Sequence, residues 1–226
     1  MSESTAPSAG AVSIIDGPHA APGLTAASAA VAAPARGCRV LVLYAHPSPR
    51  TSRVNVKLLE AARLIDGVGV EDLYETYPDF YIDVARERAL VSGADALVLV
   101  FPLQWYACPA LLKEWFDAVL HDAWQVDRVK ARPNGIARCC WLVTSTGSPA
   151  GDFAAGRRHG RALADYLAPI EQTARVCGMN WLEPLVLYSA HDIGSSAVED
   201  HVARFADGLR SLSGAAASIT GAANGN

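Results

Sequence analysis

The chain has 226 residues, 51% of them hydrophobic, and a formal net charge of −4 with both signs interspersed. That length and apolar content suffice for one substantial core, and the charge excludes a polyanion-binding surface, so no nucleic-acid partner is expected. The five cysteines (Cys38, Cys108, Cys139, Cys140 and Cys177) lack C-x-x-C or finger spacing, which predicts no disulfide frame and no metal site and fits a reducing, cytoplasmic compartment.

Residues 1–36 are rich in Ala, Ser, Pro and Gly and lack a basic segment followed by an apolar one. They read as a disordered extension rather than a signal peptide, because so little apolar surface cannot offset the entropy of ordering. A folded domain is expected over residues 37–213, with a flexible tail over 214–226. The first buried strand is Cys38–Tyr44. After it, Ala45-His46-Pro47-Ser48-Pro49-Arg50-Thr51-Ser52-Arg53-Val54-Asn55 leads into a helical pattern through Leu58, Leu59, Ala62 and Ile65. Ser52 suits the N-cap of that helix. A strand, a hydroxyl-bearing loop and a helix start also make an anion site, since free N–H groups and the helix dipole favour phosphate there. On its own this loop reads more readily as an ordinary capped helix. Neither G-x-G-x-x-G nor G-x-x-x-x-G-K-[ST] occurs, which argues against a dinucleotide fingerprint or an NTPase loop.

A second strand fits Gly69–Leu73; Tyr74–Phe80 then leads to a charged helix over Asp83–Val91. Next comes the most distinctive stretch. The short apolar run Ala96–Phe101 is a fully buried parallel strand, Pro102–Pro109 is an aromatic loop, and Ala110–Asp117 is an amphipathic helix with Pro109 in its first turn. Ala96–Leu112 is uncharged, but Pro102, Gln104 and Pro109 would break a membrane span. Gln104, Trp105 and Tyr106 are too large to pack within so short a loop. They fit a bed for a planar aromatic ligand, or a cap on the layer beside the helix. His121–Ala137 is a long polar connection. A fourth strand, Arg138–Val143, ends in Thr144-Ser145-Thr146-Gly147, whose small residues would let a ligand approach backbone. A helix over His159–Cys177 bent at Pro169, a fifth strand over Trp181–Leu187 and a last helix over Ala197–Leu212 complete the pattern.

Strands alternating with helices predict an α/β three-layer sandwich around a five-stranded parallel sheet. In the flavodoxin-like order 2-1-3-4-5, the loops after strands one, three and four converge on one rim beside the switch point, where ligands bind. The short basic run Arg157-Arg158-His159-Gly160-Arg161 reads as a solvated helix start or, less favoured, as a contact to a cofactor phosphate.

With Tyr44-Ala45-His46-Pro47, Ser52 with Asn55, Tyr77-Pro78-Asp79-Phe80, Pro102-Leu103-Gln104-Trp105-Tyr106 and Thr144-Ser145-Thr146-Gly147 in place, the chain resembles the flavodoxin-like NAD(P)H:quinone oxidoreductases. Within them it is most similar to the ancillary flavoprotein subunit of glutathione-gated potassium efflux systems. The resemblance covers about Arg39 to Ser211. It implies a flavin, FMN with FAD as the alternative, NAD(P)H as hydride donor and a quinone as acceptor. His46, Ser52, Arg53, Val54 and Asn55 would hold the phosphate side, Leu103, Gln104, Trp105 and Tyr106 the ring system, and Thr144, Ser145, Thr146 and Gly147 its other edge. His159 matches a catalytic histidine of the mammalian branch, whereas the phenol beside it is replaced by Phe153. The family's glycine-rich connection is replaced here by Trp124–Gly135, and Thr146 stands where a glycine pair is usual. The resemblance further implies a homodimer. The alternative function is a regulatory subunit on a potassium efflux transporter, peripheral to the inner face of the cell membrane.

Overall fold

The computed structural model describes residues 40–48, 52–120 and 139–223. The expectations for residues 1–36, for Cys38, for the 121–137 connection and for the last three residues lie outside them. Strand β1 (Val40–Tyr44) leads to helix α1 (Asn55–Arg63), β2 (Val68–Asp72), the single turn α2 (Leu73–Thr76) and α3 (Val84–Gly93). Strand β3 (Ala96–Pro102) then leads to α4 (Ala110–Val119), and β4 (Cys139–Ser145) comes after it. A 3-10 turn at Ala150–Asp152 precedes α5 (Leu163–Val176), β5 (Asn180–Trp181), β6 (Leu185–Leu187) and α6 (Ser195–Ala223).

All strand pairs are parallel, in the order β2-β1-β3-β4-β5, with β6 pairing farther along β4. The expected sheet order is therefore the observed one. Every residue of β1 and β3 is buried, and the two-residue period of a strand sorts them into two cores. Leu41, Leu43, Leu97, Leu99 and Phe101 pack with Leu111, Trp115, Leu167 and Ile170 of α4 and α5. Val40, Val42, Tyr44, Val98 and Val100 pack with Leu58, Leu59, Phe205 and Leu209 of α1 and α6. Helices thus cover both faces, giving three layers.

Several boundaries differ from those read in the sequence. The helix start at Asn55 puts Val54, not Ser52, at the N-cap, although the Ser52 hydroxyl still accepts the Asn55 N–H at 2.9 Å. Pro109 precedes α4 as its N-cap, and its carbonyl accepts from Leu112 and Lys113. Helix α5 begins at Leu163 rather than His159, because Gly156 and Gly160 adopt φ of +72° and turn the chain before it. The fifth strand is two pieces: Pro184 has no N–H to give the ladder, and Leu182–Pro184 interrupts it. The Glu183 carbonyl there accepts the Trp141 indole N–H at 3.1 Å. Helix α6 runs on to Ala223, past Leu212 and through residues whose composition reads as the start of a tail. Within α6, Gly208 is required by packing, since a Cβ there would lie 2.4 Å from Cη2 of Trp141.

A buried polar network locks the Tyr77–Phe80 loop to α3 and α4. Glu87 is fully buried; its carboxylate accepts the Tyr77 hydroxyl at 2.6 Å and the Trp115 indole N–H at 2.9 Å, and pairs with Arg86. Arg86 also reaches Glu71 at 2.8 Å. Asp83 caps α3 by accepting the Arg86 N–H. Burial raises the Glu87 pKa above its ordinary carboxyl value. The folded protein therefore holds this proton more tightly than the unfolded chain, so its contribution to stability declines as pH rises through the raised pKa. Glu87→Ala should cost about 3–5 kcal/mol by stranding its three donors, read as a lowered urea midpoint. The stability advantage of the wild type over Glu87→Gln should shrink from acid toward neutral pH.

Candidate active site

At the C-terminal ends of β1, β3 and β4, two cavities of about 240 and 210 Å³ share Leu103, Thr146 and Gly147 as walls. The larger is bounded by His46, Ser52, Arg53, Val54 and Asn55 on the β1 side and by His191 after β6. The smaller lies between the Trp105–Tyr106 turn and the loop carrying Phe153, Arg158 and His159. Sheet order produces this meeting: β1 and β3 are neighbours, and the backbone continues the pairing with Ala45 N–H to Val100 O and Leu103 N–H to Ser145 O, both 2.9 Å.

On the β1 side, the Ser48 N–H donates to His46 Nδ1 at 3.1 Å. That contact requires an unprotonated Nδ1 and leaves the neutral ring's proton on Nε2. Burial lowers the His46 pKa, which favours the same neutral form. Asn55, only 2% exposed, donates Nδ2–H to the Ser145 hydroxyl at 3.3 Å, while its Oδ1 is buried without a hydrogen-bond partner. Such an orphaned acceptor in a cavity wall fits a ligand hydroxyl. Arg53 is tied at this mouth by a 3.3 Å bond to the His191 carbonyl.

The β3 loop is a two-residue hairpin. Gln104 and Ala107 exchange both backbone hydrogen bonds, at 3.2 and 3.1 Å, around Trp105 and Tyr106. Those residues have φ of +48° and +65°, the left-handed pair of a type I′ turn. Glycine and asparagine normally occupy such positions, and a bulky aromatic there stores strain of order 1 kcal/mol or more. The outcome is an indole held 92% exposed at the cavity rim. So exposed an indole does not cap the core. Tyr106 does pack, stacking on Tyr166 with ring centres 4.8 Å apart.

The Tyr106 hydroxyl lies 3.3 Å from Nδ1 of His159, whose ring stacks on Phe153 at 4.3 Å. A phenol thus stands beside His159 despite Phe153, supplied from the β3 loop. His159 Nε2 is buried and has no hydrogen-bond partner.

The structure brings twelve of the thirteen ligand-bed candidates to these walls, Tyr106 and Trp105 among them, and with them His159. Thr144 is the exception: it is fully buried, and its hydroxyl donates to the Phe101 carbonyl at 2.8 Å. The Thr146 N–H donates to the Leu187 carbonyl at 2.9 Å and so is not free for a ligand. Gly147 stays open to the cavity; a Cβ would come 3.2 Å from His191 Cδ2. Arg158, whose basic run reads in the sequence first as a solvated helix start and less readily as a cofactor-phosphate contact, is a wall residue, and sequence reasoning misses His191 entirely. His191 comes after the last strand of a parallel sheet, so it belongs to the same rim, and that topological rule is the available signal.

The doubly wound order and the cavities at its switch point define a flavodoxin-like protein. Residues 38–212 match the profile of the flavodoxin-like fold family, and the chain belongs to that family. It is similar to the glutathione-regulated potassium-efflux system ancillary protein KefG of Cronobacter sakazakii, at 42% identity over 164 residues, 72% of this chain and 88% of that protein. Among solved structures, general stress protein 14 of Treponema denticola in complex with FMN is 32% identical, with a TM-score of 0.65 over 79% of this chain and 99% of that one. An NADPH-quinone reductase from P. pentosaceus shares the fold, at 23% identity and a TM-score of 0.64, over 77% and 97% of the two chains.

Trp105→Ala should weaken flavin retention through lost stacking area, by about 1 kcal/mol or more. Flavin titration of the two proteins by fluorescence quenching measures the difference; equal affinities would remove Trp105 from the ligand bed.

Proposed function

We propose that the protein is a flavin-dependent NAD(P)H:quinone oxidoreductase. The observation that carries this reading is the joined cavity pair at the switch point. One end offers the Ser52–Asn55 helix start and Arg53, the other an exposed indole beside a histidine–phenol pair. The donor set fits FMN: hydroxyls, one guanidinium and a helix start for a phosphate, the unpaired Asn55 Oδ1 for a ribityl hydroxyl, and an aromatic turn for the rings. The FMN-bound relative at 32% identity supports FMN over FAD.

When bound, the flavin supplies two-electron chemistry that no side chain can. The chain's part is binding, orientation and electrostatics. Ser52 and Arg53 hold the phosphate end, and Leu103 with Trp105 fixes the plane of the rings. Tyr106 holds the His159 ring so that Nε2 serves as a hydrogen-bond donor where negative charge develops.

A second reading, a regulatory subunit docked on a potassium efflux transporter, is favoured by the 42% identity to the KefG ancillary protein. Both uses require the same flavin site. In this reading the chain docks peripherally on the cytoplasmic side of the transporter; among the described residues no helix is long and apolar enough to cross a membrane. A homodimer belongs to the proposal, and a largely apolar groove of about 880 Å³ between α4 and α5 supports it.

Purified protein should be yellow, and its absorbance near the visible flavin bands should bleach under anaerobic NADH or NADPH and return on adding a menadione-type quinone. Colourless protein that takes up neither flavin nucleotide would overturn the proposal. Bleaching without quinone turnover, together with co-purification of a transporter, would favour the regulatory reading. Ser52→Ala should weaken FMN more than riboflavin; equal losses would separate Ser52 from the phosphate.

A further inference from the structure

The wall of each cavity carries one guanidinium and no carboxylate. Arg53 bounds the larger and Arg158 the smaller. This sign is local, because the chain as a whole is acidic, with a net charge of −4. FMN carries a single phosphate, and the Ser52–Arg53 end accounts for it. Arg158 lies at the other end, in the same wall as Trp105 and Tyr106, and among the described residues it forms no ion pair. A flavin leaves this guanidinium unused.

Arg158 is exposed, but the loop that carries it is tied down. Its neighbour His159 donates its N–H to the Asp152 carbonyl at 3.1 Å, stacks on Phe153, and receives the Tyr166 hydroxyl on its own carbonyl. Arg157 closes the same loop by giving Nε–H to the Gly151 carbonyl and accepting the Gly160 N–H. The backbone on both sides of Arg158 is therefore fixed, which lowers the entropy lost when its side chain engages an anion.

We propose that Arg158 recognises a phosphate of the reduced nicotinamide dinucleotide that donates the hydride. This rests on the oxidoreductase reading. Of the two molecules that must visit the ring end, the donor always carries phosphates and a simple quinone carries none. Arg158 shares its cavity with the turn on which the rings lie, so a donor with its nicotinamide over them places a phosphate within reach of the loop. A guanidinium suits that group through charge-assisted, bidentate hydrogen bonds.

The test uses the full chain loaded with FMN, comparing wild type, Arg158→Ala and Arg158→Lys with NADPH, NADH and a menadione-type quinone. Arg158→Ala should raise the donor KM about 10-fold or more, the worth of one charge-assisted hydrogen bond, with flavin content retained and kcat far less affected. Arg158→Lys should recover part of the loss. A larger effect on NADPH than on NADH assigns the contact to the 2′-phosphate; equal effects assign it to the pyrophosphate, and either supports the proposal. An unchanged donor KM would overturn it, as would a KM increase confined to a sulfonated naphthoquinone. If flavin-loaded wild type is reduced by neither nicotinamide, the oxidoreductase reading itself fails and takes this assignment with it.

Discussion

Everything at the rim depends on β1 lying directly beside β3. The register Val40 with Ala96 through Tyr44 with Val100 brings the ends of both strands level, so the loops that leave them open side by side although more than fifty residues separate them in the chain. With β2 and α1 on one side of this pair and β4 on the other, the connections turn away in opposite directions and a crevice opens between them. Parallel pairing is costly to form, because each contact closes a long loop. The compensation is burial on both faces: each residue of β1 and β3 joins one of two apolar layers, and a fully buried Leu or Val contributes about 1.5–3 kcal/mol.

Upon that frame the site is built from small groups with prescribed partners. His46 is neutral and oriented by an amide, and Asn55 is held by Ser145. His159 is wedged between Phe153 and Tyr106. The Trp105–Tyr106 turn shows how much the fold spends on presentation. Two aromatic residues are kept in left-handed backbone while one of them is almost wholly in water. Water contact for an indole is unfavourable, and so is the dihedral. Both costs fall at a cavity mouth, which is where the proposed flavin ring system would cover the indole.

The central strands and the converging loops are legible in the sequence because buried parallel strands leave short unbroken apolar runs such as Ala96–Phe101, and because Pro102 and Pro109 bracket the loop beyond that run. Family resemblance extends this to residues of the cavity walls. The features that stay hidden are set by tertiary contacts. Nothing in the residues Trp105 and Tyr106 signals a type I′ turn, since their own preferences oppose it. The segment before Leu163 has helix-compatible composition, yet Phe153–His159 stacking and two left-handed glycines hold it as a loop. Thr144 looks interchangeable with Ser145 and Thr146, but strand alternation turns its hydroxyl inward to Phe101. Arg158 reads as a solvated charge because its place in the wall depends on that same loop. The end of α6 misleads for the opposite reason: its small residues suggest a tail, whereas an alanine-rich stretch has good helix propensity and extends the helix.

The interruption at Leu182–Pro184 bears on how copies of this chain can meet. A sheet border with a continuous row of open amides and carbonyls invites a foreign strand to add itself. Here one border is cut into pieces of two and three residues by an imino acid, while the opposite border ends in Glu71 and Asp72. At the interrupted border an incoming strand would find only two short runs of backbone to pair with.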